Sequence, residues 1–321
     1  MKVAVLGATG AVGRTMLRLL EERRVPVEEL RLLASRGSAG SGLRWGGRRY
    51  ALAAPAPGCF EGIDVALFSA GAELSLEWAP PAAAEGAVVV DNSSAWRMDP
   101  EVPLVVPEVN GERAGNRRKG IIANPNCSTI QTVMALKPIH DAAGLARVLL
   151  TTFQSVSGAG QKGVERLRAE QREESAGGSP FGAPIAGNLI PAIGELKGDG
   201  WTEEECKMAR ETRKILELPE LPVAATCVRV PVEVGHAVQA TVETERELSL
   251  EEALKVIAAF PGLRAQAGGA PTPRELAGTD TVAVGRVRRD RDLPRTLHLW
   301  IVADNLRKGA ATNAVQIVEG L

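Results

Sequence analysis

The sequence predicts an α/β chain of two domains: a doubly wound, mostly parallel sheet, then an α+β domain with a mostly antiparallel sheet. Three observations predict it. Short apolar runs alternate with helix-like segments over residues 1–126. Three glycines, Gly7, Gly10 and Gly13, stand between the first apolar run and the first helical one. After Cys127 the β-rich runs lengthen, partly alternate, and are separated by turn residues. Buried apolar runs alternating with helices indicate a parallel sheet covered on both faces. Longer alternating runs indicate antiparallel pairing. The 321 residues also suit two domains of about 150 each.

The elements justify this in order. "KVAVLGA" reads as a buried strand, and "VGRTMLRLLEERR" carries apolar residues at helical spacing. "ELRLLAS", "DVALFSAG", "AVVVDNSS" and "GIIANP" are further strands whose ends carry Gly, Ser, Asn and Asp, where ligand crevices open in such sheets. "IQTVMALKPIHDA" reads as a helix, "RVLLTTFQSVSGAG" as a strand running into a turn, and "VERLRAEQREES" as a charged helix. Residues 177–200 are rich in Gly and Pro and read as a long loop. Thr202 with Glu205 three residues on is a capping box opening "TEEECKMARETRKIL". "VAATCVRVPVEVGHAVQATVET", "TVAVGRVRRD" and "TLHLWIVAD" are strands. If "CVRV" and "HAVQATV" are neighbours, Arg229 and His236 share a cleft. "NLRKGAATNAVQIVEGL" reads as a closing helix.

A net charge of −1 and 3% aromatic residues argue against a nucleic-acid or anionic-membrane surface. The N-terminal apolar run is too short for a signal peptide, and no window of 18 apolar residues occurs. The four cysteines make no C-x-x-C pair, so neither a metal site nor a disulfide framework is expected. The expectation is a cytoplasmic protein with free thiols.

"GATGAVG" sits between strand and helix. Glycine there permits a tight turn and lets the main chain approach a pyrophosphate, which free N–H groups and the helix dipole hold. A plain glycine turn is the competing reading. A site for NAD usually carries an acid after the second strand. Here Ser35-Arg36-Gly37-Ser38 offers an arginine and hydroxyls, which suits the 2′-phosphate of NADP; an ordinary surface arginine is the alternative.

Cys127 lies between Asn124-Pro125-Asn126 and a helix, a place where thiol pKa values fall. Spacing alone still favours a small buried thiol. A catalytic thiol needs an acid/base, and among the three histidines His236, after the Gly235 turn, is the best candidate. A core or surface histidine remains open at this point.

"GATGAVG", "DNSSAWRMD", "VVPEVN", "NPNCST", "TFQSVSGAG", "CVRVPVEVGH" and "DNLRKGAATNAVQI" occur in the order seen in aspartate-semialdehyde dehydrogenases. The resemblance covers essentially the whole chain. The related N-acetyl-glutamyl-phosphate reductases carry Gly-Cys followed by an aromatic residue instead. The resemblance implies a Rossmann-type dinucleotide-binding domain, residues 1–126 and 305–321, and a catalytic and dimerisation domain, residues 127–304. It implies reversible reduction of L-4-aspartyl phosphate to L-aspartate 4-semialdehyde and phosphate with NADP, in biosynthesis of lysine and diaminopimelate, methionine and threonine. A homodimer is implied as well.

Carried over residue by residue, the resemblance makes Cys127 the nucleophile of an acyl-thioester, and His236 the acid/base. Gln154 orients the acyl group, and Arg229 grips the substrate carboxylate. Arg97 and Lys207 are similar to phosphate and substrate contacts, and Glu204 faces the substrate amino group. Gly7, Thr9, Gly10, Ala11, Val12, Arg36, Gly37, Ser38, Ser157, Gly158 and Asn305 are expected at the cofactor. One departure stands out: the family commonly has "RSAG" after the second strand, whereas here Gly37-Ser38-Ala39-Gly40 follows an arginine one position earlier.

Overall fold

The computed structural model describes residues 1–174 and 178–321; the last residue of the predicted helix 164–175 and the first of the loop 177–200 lie outside the described residues. The chain divides into two compact units, Met1–Asn126 with Ala310–Leu321, and Cys127–Gly309. Residues 305–309 thus group with the second unit, against the boundary at 305 read from the sequence. Among the described residues no helix is long and apolar enough to cross a membrane.

The first unit runs β1 (Lys2–Leu6), α1 (Ala11–Glu22), β2 (Glu29–Leu33), β3 (Gly42–Trp45), β4 (Arg48–Ala53), β5 (Val65–Phe68), α2 (Ala72–Ala84), β6 (Val88–Asp91), α3 (Pro107–Asn110) and β7 (Ile121–Ala123). Its sheet has the order β3-β4-β2-β1-β5-β6-β7, with every pairing parallel except β3–β4. Val3, Ala4 and Val5 are fully buried, which is why β1 reads as an unbroken apolar run. Met16, Leu19 and Leu20 form the apolar stripe of α1 and pack into the same core. β1 has β2 on one side and β5 on the other, so the strand order reverses beyond its C-terminal end. That is where ligands bind in such sheets. The β3–β4 hairpin goes unread in the sequence because Arg44, Arg48 and Arg49 are exposed and blur the alternation.

The second unit opens with α4 (Cys127–Ala143), buried on most sides, with the polar Ser128, Thr129, Gln131 and Thr132 among its buried residues. It continues with β8 (Leu145–Gln154), α5 (Gln161–Gln171), α6 (Glu203–Leu216), β9 (Val223–Arg229), β10 (His236–Thr244), α7 (Leu250–Ala259), β11 (Leu263–Gln266), α8 (Pro273–Leu276), β12 (Val282–Arg289) and β13 (Thr296–Ala303). α9 (Thr312–Glu319) returns to the first unit, where Ala314, Val315 and Val318 join its core. The capping box predicted for α6 is present: the Thr202 hydroxyl takes the Glu205 N–H, and the Glu205 carboxylate takes the Thr202 N–H.

The second sheet has the order β11-β12-β13-β10-β8-β9. It is mixed: β10–β13, β10–β8 and β12–β13 are antiparallel, while β8–β9 and β11–β12 are parallel. β9 and β10 are not neighbours, contrary to the sequence reading; β8 lies between them. The parallel β8–β9 pairing needs a crossover, and the segment with α5, the Gly/Pro-rich stretch and α6 supplies it. The register still puts Gln154 opposite Arg229, and Phe153 opposite Ala237. The last residue of β8, the last of β9 and the first of β10 therefore meet at one edge of the sheet.

Candidate active site

In the first unit, the chain leaves β1 at Gly7, whose φ of +86° suits glycine. A Cβ on Gly7 meets Ser69 O at 2.6 Å, and one on Gly13 meets Gly7 O at 2.2 Å, so strand, turn and helix approach more closely than side chains permit. Gly10 is the N-cap of α1; no side chain caps it, and the first turn holds no acid. A helix start left that way, with its main-chain N–H groups unopposed by a carboxylate, fits a pyrophosphate. Thr9, Ala11 and Val12 are half-buried beside it. A cavity of about 290 Å³ lies along the ends of these strands, with Gly7, Ser35, Arg36, Glu77 and Trp78 in its wall. Arg36 and Gly37 are exposed, and Ser38 is half-buried. Glu77 and Trp78 went unnoticed in the sequence because only the fold carries α2 to this edge.

Arg97 also belongs to the first unit and is buried. Its Nε donates to Asn124 O at 3.0 Å and its Nη2 to Asn92 O at 3.0 Å. Asp91, fully buried at the end of β6, accepts from Ser75 Oγ at 2.8 Å and Ser93 Oγ at 2.6 Å, and Trp96 Nε1 donates to Ser75 Oγ at 3.0 Å. Burial pushes the Asp91 carboxyl above its usual range, against the pull of the two serines.

In the second unit, Cys127 is the first residue of α4 and is half-buried. Gly309 packs against it: a Cβ there stands 3.2 Å from the Cys127 Cβ. Gln154, Arg229 and His236 are all buried. Arg229 Nη1 donates to Ser155 O at 2.8 Å, and its guanidinium lies 5.7 Å from the centre of the Phe181 ring. Burial lowers the Arg229 pKa, while Cys127 and Glu204 pull it upward. Gln154 Nε2 donates to Thr152 Oγ1 at 3.1 Å and to Glu204 Oε1 at 3.2 Å. Lys207 Nζ sits 2.7 Å from Glu203 and 4.0 Å from Glu204.

His236 is fully buried, and its Nδ1 accepts from the Ser155 N–H at 3.0 Å. Burial, reinforced by Arg229, pushes its pKa down to about 3. Gly158 lies over both groups: a Cβ there stands 2.8 Å from Arg229 Nη1 and 3.4 Å from His236 Nε2. Asn305 Oδ1 accepts from Ser155 Oγ and Ser157 Oγ, each at 3.1 Å, and from the Gly235 N–H at 2.8 Å.

The second unit thus brings together Cys127, Gln154, Glu204, Arg229 and His236, and adds Ser155 and Phe181, which sequence reasoning missed. Ser155 stood inside the quoted "TFQSVSG", but its function lies in a main-chain N–H and no residue type announces that. Ser157, Gly158 and Asn305, expected at the cofactor, are found packed around His236. His298 takes no part in this cluster; it lies on β13, with Nε2 2.7 Å from Asp290 Oδ2. Cys227 is buried, and burial pushes its thiol up to about 12.

A dinucleotide-type glycine turn on one unit and a thiol, imidazole and guanidinium together on the other suit a nucleotide-dependent dehydrogenase. Two family models match it, the semialdehyde dehydrogenase NAD binding domain over residues 2–117 and the semialdehyde dehydrogenase dimerisation domain over residues 136–308. The chain is 52% identical to the aspartate-semialdehyde dehydrogenase of Aquifex aeolicus over 329 aligned positions, covering 99% of this chain and 97% of that one. The crystal structure of aspartate semialdehyde dehydrogenase II from Vibrio cholerae, complexed with ASA, matches with a TM-score of 0.97 at 48% identity, over 100% of this chain and 97% of that chain. The Candida albicans enzyme with NADP matches with a TM-score of 0.77 at 26% identity, over 100% of this chain and 98% of that chain. The chain belongs to the aspartate-semialdehyde dehydrogenase family.

Proposed function

We propose that this enzyme reduces L-4-aspartyl phosphate to L-aspartate 4-semialdehyde with release of phosphate, through an acyl-thioester on Cys127. It serves biosynthesis of lysine and diaminopimelate, methionine and threonine. The observation that carries this reading is the meeting of Gln154, Arg229 and His236 at one sheet edge, with the Cys127 sulfur in the field of Arg229. A cationic neighbour favours the thiolate, which is the attacking form. An acyl phosphate acylates the thiolate readily, and the thioester is electrophilic enough to accept hydride where a carboxylate is not.

Arg229 offers a planar fork to the substrate α-carboxylate, and Glu204 a carboxylate to its amino group. Gln154, tied to Glu204, orients the acyl group. Arg97 and Lys207 supply positive charge for phosphate; the carbonyl contacts of Arg97 hold its guanidinium in place. His236 faces the acyl oxygen and serves as acid/base.

NADP, when bound at the "GATGAVG" turn, supplies or accepts the hydride. The uncapped start of α1 holds its pyrophosphate, and Arg36, on the wall of the cavity, receives the 2′-phosphate. The enzyme works as a homodimer, a reading that the dimerisation-domain match supports.

The test is direct. Purified enzyme given aspartate semialdehyde, NADP and phosphate is expected to form NADPH, read by its absorbance at 340 nm. NADPH formation that ignores phosphate, or none at all, overturns the assignment.

A further inference from the structure

We infer that Phe181 is a positioning residue for substrate selectivity: its ring lies against the Arg229 guanidinium and fixes the plane that a substrate carboxylate must meet. This deepens the reading above and rests on its assignment of Arg229.

Arg229 stands at the end of β9, and its main chain is firmly held. The Ile190 N–H donates to Arg229 O at 3.0 Å, and the Arg229 N–H to Ile190 O at 2.8 Å. The side chain is held less completely. Nη1 donates to Ser155 O at 2.8 Å, and among the described residues the guanidinium makes no second hydrogen bond. One bond fixes one point, and a planar group can still pivot about it. Two parallel N–H groups can grip a carboxylate only if that plane is set. The Phe181 ring supplies the missing constraint. Arg229 Cζ lies over it, 5.7 Å from its centre, within the range of cation–π attraction. Arg229 is buried, and such a contact is worth more when the cation is stripped of water.

Phe181 belongs to the Gly/Pro-rich crossover between α5 and α6, where no helix or strand holds it. Other contacts do. Ser179 Oγ takes the Phe181 N–H at 3.3 Å and donates to Ala183 O at 2.6 Å. Glu170 Oε2, on α5, takes the Ile185 and Ala186 N–H groups at 2.7 Å each, and Glu170 is paired with Arg166 one turn earlier. Ile185 and Ile190 are buried in a cluster with Val156, Val164 and Leu167, and Phe181 packs against it. Gly163 on α5 leaves room for the ring, since a Cβ there would stand 3.1 Å from Phe181 Cζ. The ring is thus braced between α5 and Arg229, and the crossover sets the guanidinium plane together with β9.

The consequence is selective. A substrate that carries an α-carboxylate draws on the plane of Arg229, and one without it does not. Loss of the ring should therefore weaken recognition of the carboxylate and leave the chemistry at Cys127 alone.

The test uses the full-length enzyme with NADP and phosphate. It compares KM for aspartate semialdehyde with the inhibition constant of 3-aminopropanal, which keeps the aldehyde and the amine but lacks the carboxylate. Phe181→Leu keeps an apolar side chain in the cluster and removes the aromatic face. KM for aspartate semialdehyde is expected to rise by about threefold to thirtyfold, the range of one cation–π contact, while kcat and the inhibition constant of 3-aminopropanal stay near the parent's. Phe181→Tyr retains the face and should restore most of the loss. A Leu variant with the parent's KM overturns the inference, as does one in which KM and the inhibition constant rise together, since the ring then serves general packing. Arg229→Lys keeps the charge without the plane and separates the two readings. If it leaves the ratio of the two constants unchanged, Arg229 does not bind the carboxylate and both readings fall. If it alters the ratio and Phe181→Leu does not, the inference about Phe181 alone falls.

Discussion

The glycine turn of the first unit and the buried cluster of the second are built on opposite principles. The turn is made of main chain: Gly7, Gly10 and Gly13 serve by having no side chains, and the recognising groups are N–H donors. The cluster is made of side chains: Gln154, Arg229 and His236 are buried and oriented by one another or by neighbouring main chain. The turn's design is local, within the seven residues from Gly7 to Gly13. The cluster's design is assembled from strand ends far apart in sequence. Damage to the turn should appear in nucleotide affinity and stability, and damage to the cluster in turnover.

Cys127→Ala is the largest expected break between the two. Turnover should fall by more than about 10⁴-fold, because a nucleophile acts as one unit with its partners and little is left without it. NADP affinity, measured by fluorescence titration, should stay within about twofold. A variant that turns over at the parent rate removes Cys127 from the chemistry.

Gly158→Ala sharpens the same contrast with one methyl group. The added Cβ falls 2.8 Å from Arg229 Nη1, so the guanidinium must shift. A displacement near 1 Å in a positioning group costs up to about 10²-fold in rate. kcat/KM for aspartate semialdehyde is expected to fall between about tenfold and 10²-fold, with the melting temperature little changed. Unaltered kcat/KM means that Arg229 does not set the substrate's position.

The two designs also decide what could be read from sequence. β1, the turn and α1 are contiguous, so periodicity and glycine spacing recover the strand, the helix and the phosphate cradle together. The capping box of α6 is equally local and equally legible at Thr202 and Glu205. The second unit is different. Arg229 and His236 are separated by β8, so their meeting depends on a crossover that no pattern near residue 229 encodes. Ser155 contributes a main-chain N–H, Phe181 a ring under a guanidinium, and Asn305 a triple acceptor; each is visible only once its neighbours are in place. The β3–β4 hairpin was lost for a third reason, since its arginines face outward and erase the alternation.

Arg36→Ser asks whether the turn acts through main chain alone. Arg36 is exposed on the wall of the cavity, so a charged contact to a 2′-phosphate is worth less there than in a buried site. The Kd for NADP should rise by roughly tenfold at most, while that for NAD stays unchanged. Equal loss of both nucleotides places Arg36 in the general surface and leaves the N–H groups as the whole of the recognition.

The smallest effect separates the two units by the sign of their response to acid. Asp290, in the second unit, is held down to about 2 by His298 and by the Asp292 and Leu293 N–H groups. Its folded pKa lies below the unfolded 3.8, so its contribution is present above about pH 4 and is lost as pH falls through 2. Asp91, in the first unit, is raised above 3.8 by burial, so its contribution is fullest below that value and declines as pH rises through the folded pKa. The melting temperature of Asp290→Asn should therefore fall below the parent's above about pH 4 and converge on it toward pH 2. That of Asp91→Asn should gain on the parent as pH rises from 3.8. Deficits that run parallel with pH mean that the carboxyl charges are incidental to both sites, and that the hydroxyl and N–H partners alone matter.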